Sequence, residues 1–292
     1  MLNWFRLLRI NDYIKNGLIF FPAFFGGRIF VGNNLVLLTA TFFLFSLLAS
    51  AVYIINDLVD FNLDLKHPTK RERPITEGAI SKPAAAIVGS FLLLVAIGSS
   101  FFISSELPVL FAIYFVTNLL YSTYIKHFAP FDLLLIAFGF LLRIQLGGMV
   151  SATEISSWLY VMIFLFAISF GFAKRLEEIH LLSGYKIEFS SVRPSLKFYS
   201  AEFLRNGIVA IISIAFVCYV LYVFSAETIS RLHSSYVFIT CLPVSFGVYH
   251  YIVLVKRGNE SIAPQVVLRE NLPVQLALLC WLLMMVYFIY RR

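Results

Sequence analysis

The stretch Leu35–Asp64, LVLLTATFFLFSLLASAVYIINDLVDFNLD, decides the fold. From Leu35 to Ile55 it contains no charged side chain, and about 20 such residues suffice to cross the hydrocarbon core of a bilayer as a helix. The run then closes on three acids, Asp57, Asp60 and Asp64. Apolar runs of similar length recur at 14–30, 83–103, 107–125, 130–150, 157–176, 203–225, 235–255 and 272–290. With 35–56 they predict an all-α, polytopic membrane helical bundle of nine transmembrane helices, read as a single domain over residues 1–292. The first span is the one most open to interruption, because Pro22 and the Gly26-Gly27 pair would kink or end it.

Composition excludes the main alternatives. The 292 residues are 60% hydrophobic and 13% charged, against roughly 45–50% and about 25% in a soluble domain. A soluble globule of this length cannot bury that much apolar side chain, and 31 Phe with 15 Tyr do not stay disordered. Cys218, Cys241 and Cys280, each isolated in an apolar stretch, form neither a disulfide framework nor a zinc site. The N-terminal segment lacks an apolar core followed by a small-residue cleavage site, so no removable signal peptide is expected.

The net charge of +7 would suit nucleic acid if it were spread over one face, but it is distributed by topology. All Lys and Arg except Arg28, Arg143, Arg231, Arg291 and Arg292 fall in the N-terminal segment, in the loops after spans 2, 4, 6 and 8, or at the helix ends adjoining them. The positive-inside rule then predicts a multi-pass protein of the cell (inner or plasma) membrane, with the N-terminus cytoplasmic and the C-terminus outside. No nucleic-acid partner is expected, whereas assembly into a homo-oligomer is compatible with the sequence. Two cytoplasmic loops, 57–82 and 174–202, are long enough to cap a site, and long loops on one face of a bundle usually carry function.

The acids at the end of span 2 are the first candidate site. If the helix continues, Asp57, Asp60 and Asp64 fall within about 60° of arc. Carboxylates that close repel one another unless a cation lies among them, and hard oxygen donors without His or Cys suit Mg²⁺, which takes one or two carboxylates plus substrate phosphates. The bland reading is a solvated helix end. The next residues, Lys66-His67-Pro68-Thr69-Lys70-Arg71-Glu72-Arg73-Pro74-Ile75, taken alone read as positive-inside charge; beside three acids they could grip the free oxygens of a Mg²⁺-bound pyrophosphate. His67 reads as a turn residue. The second candidate is Lys174-Arg175-Leu176-Glu177-Glu178, whose bland reading is an i,i+4 salt bridge beside a snorkelling Arg. No Asp follows Asp132, so a second Asp-rich cluster is excluded. Lys15 and Lys126 read singly as interfacial anchors, and Arg143, deep in a span, as half of an internal ion pair.

Asn56-Asp57-x-x-Asp60-x-x-x-Asp64 after the second of nine helices resembles the first motif of the UbiA superfamily of intramembrane prenyltransferases, and the resemblance extends over nearly the whole chain. Tyr13-Ile14-Lys15-Asn16 resembles the WxKN start of one branch, and His67–Ile75 resembles its HPTKxxRPI loop. Tyr121-Ser122-Thr123-Tyr124-Ile125-Lys126 resembles its YSxxLK turn, Gly139–Gly148 its GFxLRxxxG run, and Lys174–Glu178 its KRxxE sequence, which replaces a second DxxxD. That branch moves phosphoribose from phosphoribosyl diphosphate to a polyprenyl phosphate of decaprenyl type and releases pyrophosphate. The resemblance implies Mg²⁺ on Asp57, Asp60 and Asp64, with catalytic roles for these and for Lys174 and Arg175. It implies substrate contacts for Lys15, Asn16, Asn56, Lys70, Arg73, Tyr121, Lys126, Lys174, Arg175 and Glu178. Asn62 departs from the acid common there, and Glu260–Pro264 only loosely follows the branch's acidic-Pro loop.

Two other readings share part of this pattern. A UbiA-type transferase joining a prenyl diphosphate to an aromatic acceptor would need a second acidic cluster, which is missing. A transporter or lipid-binding membrane protein with a divalent-cation site would carry polar residues near the midplane of several spans, whereas here, apart from Arg143, they crowd one end.

Overall fold

The computed structural model describes residues 2–189, 193–258 and 263–291; Glu260, Ser261 and Ile262 of the divergent final loop lie outside them. Among the described residues every regular element is helical. The chain divides into two compact units. One runs to Ile155 and includes Tyr185–Lys197; the other comprises Ser156–Gly184 and the chain from Phe198 onward.

The first unit is built on α3 (Asn34–Val59), preceded by α1 (Leu2–Leu8), a 3₁₀ segment (Ile10–Phe20) and α2 (Phe21–Phe25). After α3 come the one-turn α4 (Phe61–Asp64), then α5 (Lys82–Ser100), α6 (Leu107–Thr123) and α7 (Phe131–Val150). α5 begins where Ser81 accepts a hydrogen bond from the Ala84 N–H, with Pro83 in its first turn. α5, α6 and α7 pack on α3, and their shared core holds Leu38, Phe45, Leu48, Phe111, Tyr114, Leu142 and Leu146. A smaller core of Leu7, Ile54, Ile75, Ile80 and Ala85 pins the 57–82 loop to α1, α3 and α5.

The second unit comprises α8 (Ser157–Gly184), α9 (Ala201–Phe224), α10 (Ala226–Leu232), α11 (Cys241–Arg257), α12 (Pro264–Glu270) and α13 (Leu272–Tyr290). α8 packs on α9 and α11 on α13. Ser200 and Asn271 cap α9 and α13 by accepting from Phe203 and Val274 N–H groups, and Gly258 ends α11 at φ 72°.

Seven helical segments, not nine, are long and apolar enough to cross a membrane among the described residues: 34–59, 82–100, 131–150, 157–184, 201–224, 235–257 and 272–290. The run 14–30 is not one helix. It is a 3₁₀ segment followed by the five-residue α2, and Gly27 at φ 66° turns the chain away. The run 107–125 yields only the 17 residues of α6, about 25 Å of helix against a core of about 30 Å. α8 continues to Gly184, so the Lys174–Glu178 sequence lies on a helix rather than at the start of a long loop. Large exposed side chains such as Phe43, Phe91, Leu94 and Phe102 form the apolar exterior of a multi-pass integral membrane protein.

The 3₁₀ segment that carries Lys15 and Asn16 lies against α7 through a glycine. A Cβ on Gly147 would stand 1.9 Å from the Ile19 carbonyl oxygen. Gly147→Ala is therefore expected to destabilise the protein by about 1–3 kcal/mol through overpacking. Gly98→Ala, in α5 with nothing within 4 Å of the added atom, is expected to be neutral or to gain up to about 1 kcal/mol from helix propensity. Thermal melts of both variants in the same detergent check the pair.

Candidate functional site

α3 ends at Val59, and Asp60 (φ −84°, ψ 1°) stands between it and α4. The helix is thus broken at the middle acid, and the three carboxylates do not share one partner. Arg73 Nη1 lies 2.9 Å from Asp57 Oδ1 and 2.6 Å from Asp64 Oδ2. Arg9 pairs with the same Asp57 oxygen, and Lys126, in a 3₁₀ turn after α6, pairs with Asp60. The Asp57 and Asp64 side chains are only 2% and 4% exposed, whereas Arg9 and Arg73 are 23% and 21% exposed. Acids buried that deeply need such partners, since an unpaired buried carboxylate costs several kcal/mol.

Arg73 is held there by its loop. Its N–H donates to the Lys70 carbonyl and its own carbonyl accepts from Glu77, while Ile75 and Ile80 sit in the smaller core. His67 Nδ1 accepts from the Thr69 and Lys70 N–H groups at 3.2 Å, the turn role expected of it. Burial pushes the Asp64 carboxyl from its ordinary 3.8 up to about 6; it outweighs the opposing Arg73 charge, and Asp57 adds to the rise. Lys70 contributes positive charge near Asp64.

The remaining candidates of this unit fall into three groups. Asn56 Oδ1 accepts from Ser122 Oγ at 2.9 Å, which ties α3 to α6. The Tyr121 hydroxyl accepts from Arg193 at 2.5 Å. Lys15 pairs with Asp12, and Asn16 donates to Ser46 Oγ and accepts from Arg143 Nε, both at 2.9 Å. Arg143 finds no internal carboxylate among the described residues. It donates instead to Asn16, to the Gly139 carbonyl and to the Tyr114 hydroxyl, and lies over the rings of Phe45, Tyr114 and Phe140.

The second candidate set belongs to the other unit. Lys174 lies 5.0 Å from the centroid of the Phe170 ring. Arg175, buried, faces the partly buried Glu178 at 3.5 Å, and Glu177 accepts from the Ala263 N–H at 3.1 Å.

Arg9 and Arg193 are the partners that sequence reasoning passed over. In the sequence both read only as cytoplasmic-side charge, and nothing in their immediate context distinguishes them from it.

Among the described residues no three His, Cys, Asp or Glu side chains converge as a metal site. Asp57 and Asp64 nonetheless fit a divalent cation in their chemistry. Two hard carboxylate oxygens already meet at one positively charged nitrogen, and Mg²⁺ uses one or two carboxylates with substrate phosphates.

A family profile described as the UbiA prenyltransferase family matches residues 19–272. The decaprenyl-phosphate phosphoribosyltransferase of Mycobacterium tuberculosis is 28% identical over 282 residues, covering 95% of this chain and 91% of that protein. Its counterpart in Mycolicibacterium smegmatis is 28% identical over 252 residues, covering 84% and 77%. Among solved structures, a UbiA homolog from Archaeoglobus fulgidus bound to DMAPP and Mg²⁺ superposes with a TM-score of 0.72 at 16% identity, over 99% of each chain. It establishes the likeness of fold.

The raised Asp64 carboxyl gives a prediction with a definite sign. Its folded pKa, about 6, lies above the ordinary 3.8. Its ionised form therefore costs stability, fully above about pH 6, and the cost fades as pH falls towards 3.8. In EDTA at neutral pH, Asp64→Asn is expected to melt at or above the wild-type temperature, with the margin narrowing as pH drops through 6. A large loss of stability at neutral pH would mean that the Arg73 pair outweighs burial.

Proposed function

The chain belongs to the UbiA prenyltransferase family of membrane transferases, and from that premise we propose that it transfers 5-phosphoribose from phosphoribosyl diphosphate to a polyprenyl phosphate of decaprenyl type, releasing pyrophosphate. The observation that carries this reading is a cluster of three carboxylates, Asp57, Asp60 and Asp64, paired with Arg9, Arg73 and Lys126 from three separate segments. Such a ring suits a soluble, highly anionic donor. The 28% identity with decaprenyl-phosphate phosphoribosyltransferases over most of the chain supports the same donor and acceptor.

Asp57 and Asp64, with Asp60 alongside, would hold Mg²⁺, which when bound neutralises charge on the departing pyrophosphate. Arg73, Lys70 and Lys126 would contact the diphosphate oxygens directly, as charge-assisted donors. Lys15, Asn16, Asn56 and Tyr121 complete the proposed substrate contacts of this unit. Lys174, Arg175 and Glu178 are assigned to the donor on their sequence pattern: two cations stand where an aromatic prenyltransferase carries a second acidic set. The acceptor's phosphate oxygen is already a nucleophile at neutral pH. Its attack at ribose C1, with oxocarbenium character developing as the bond to pyrophosphate breaks, needs no strong general base, and in-line displacement inverts the α-donor to a β-linked product. The charge pattern of the loops supports a cytoplasmic site, where a soluble donor is available.

Purified protein in nanodiscs, given Mg²⁺, labelled phosphoribosyl diphosphate and polyprenyl phosphates, is expected to form a labelled lipid. Product should vanish in EDTA and in Asp57→Ala, Asp60→Ala or Asp64→Ala proteins that still melt cooperatively. Turnover of a prenyl diphosphate with a hydroxybenzoate, and none of phosphoribosyl diphosphate, would replace this reading with the aromatic one. Lys174→Ala and Arg175→Ala are expected to weaken donor binding by about 1.5–3 kcal/mol, roughly tenfold to a hundredfold in Kd, and to leave polyprenyl phosphate binding close to wild type. Titration of each substrate separately distinguishes the two.

A further inference from the structure

Arg9 is the left-handed residue (φ 52°, ψ 48°) that joins α1 to the 3₁₀ segment. Its guanidinium lies 4.7 Å from the Tyr53 ring centroid and pairs with Asp57. Asp57 Oδ1 therefore has two guanidinium partners, Arg9 and Arg73; Asp64 shares Arg73, and Asp60 has Lys126. Three acids are matched by three paired bases, and Lys70 adds positive charge near Asp64, so the cluster carries no negative excess as it stands. The arginines are several times more exposed than the carboxylates they hold. A cation that takes up Asp57 Oδ1 or Asp64 Oδ2 has to displace them.

Charge balance limits what can do so. A bare dication adds two charges to a cluster with no negative excess and sets two guanidinium groups free beside itself. A dication that arrives with a diphosphate brings acceptors for those same groups, and a guanidinium fork matches phosphate oxygens in two-pronged geometry. We propose that Arg9 and Arg73 are exchangeable counter-ions: they neutralise Asp57 and Asp64 in the empty site and pass to the diphosphate oxygens of the donor as the carboxylates take the divalent cation. Arg9 becomes a donor-positioning residue, and metal and diphosphate bind as one unit. This rests on the diphosphate-donor reading above.

The test measures Mn²⁺ binding to the full-length protein in nanodiscs by electron paramagnetic resonance, with and without inorganic pyrophosphate. In the wild type, Mn²⁺ alone is expected to bind weakly, and pyrophosphate to raise its affinity by about 5–150-fold, the usual range of coupling between sites. Arg9→Gln and Arg73→Gln are expected to bind Mn²⁺ alone more tightly than wild type, with the pyrophosphate effect shrinking towards none. Arg9→Lys, which keeps the charge and loses the fork, should leave binding of Mn²⁺ alone near wild type and weaken the pyrophosphate effect. Lys256→Gln, an exposed position in α11 with the same loss of charge, should change neither.

If the Gln variants bind Mn²⁺ alone no better than wild type while the wild type keeps its pyrophosphate effect, the exchange is wrong and the diphosphate reading stands. The exchange also falls if Lys256→Gln tightens Mn²⁺ binding as much as they do, or if Arg9→Lys behaves as wild type. If pyrophosphate has no effect on the wild type, both fall.

Discussion

One nitrogen atom, Nη1 of Arg73, answers two buried carboxylates, and much of the first unit is arranged so that it can. Asp57 belongs to a helix that crosses the membrane and Asp64 to a separate turn beyond it. Neither acid can be left alone in that setting, because burying one charge without a partner costs several kcal/mol. The chain therefore has to fix a loop with the precision of a helix. It does so with apolar anchors: Ile75 and Ile80 flank the arginine's turn and pack with Leu7, Ile54 and Ala85. Leu7 in that core is two residues before Arg9, which reaches the same Asp57 oxygen. α1, the end of α3 and the 57–82 loop are thus joined twice, by an apolar cluster and by the ion pairs near it.

The arrangement accepts a penalty that packing alone would avoid. The Asp64 carboxyl is pushed up to about 6 although a guanidinium stands 2.6 Å away. Burial is the larger effect. Two neutral side chains of similar volume would spare the desolvation of both acids and of the arginine. A penalty of this kind, held just beyond the end of α3, marks a place where local chemistry departs from what stability favours.

How much of this could be read beforehand follows from the physical range of each signal. Membrane helices announce themselves by long apolar runs, and among the described residues seven helical segments reach spanning length. The run at 14–30 misled because hydropathy does not sense backbone geometry; Pro22 and Gly26-Gly27 gave the hint, and the chain folds there as a 3₁₀ segment and a short helix. At 107–125 the apolar run is longer than the helix it contains, since Tyr124 leaves helical geometry at φ −125°. The acids of the candidate site were legible because carboxylates at the end of a span are rare and expensive. Arg9 was not, because an arginine near a membrane surface needs no special reason to be there, and its link to Asp57 spans 48 residues of sequence. The break at Asp60 also escaped, as i, i+3, i+7 spacing suits an unbroken helix and one interrupted for a single residue alike.

Arg143 shows how a membrane segment keeps a cation without an acid. A carboxylate partner is the natural expectation, yet the guanidinium's hydrogen bonds go to neutral groups. Its hydrogen bonds go to an amide oxygen, to the carbonyl four residues earlier in its own helix, and to a phenol. Phe45, Tyr114 and Phe140 present their rings within 4.9–5.6 Å of its central carbon, a setting in which each ring face contributes about 0.5–2 kcal/mol. The consequence reaches Lys15. Asn16 holds Arg143 with its oxygen and Ser46 with its nitrogen, so the 3₁₀ segment is fastened to α3 and α7 by one side chain. A 3₁₀ segment of 11 residues has weak intrinsic stability. It keeps its path because the amide at position 16 lies between two longer helices, and the residue before it, Lys15, is thereby held beside Asp12 rather than free to follow solvent.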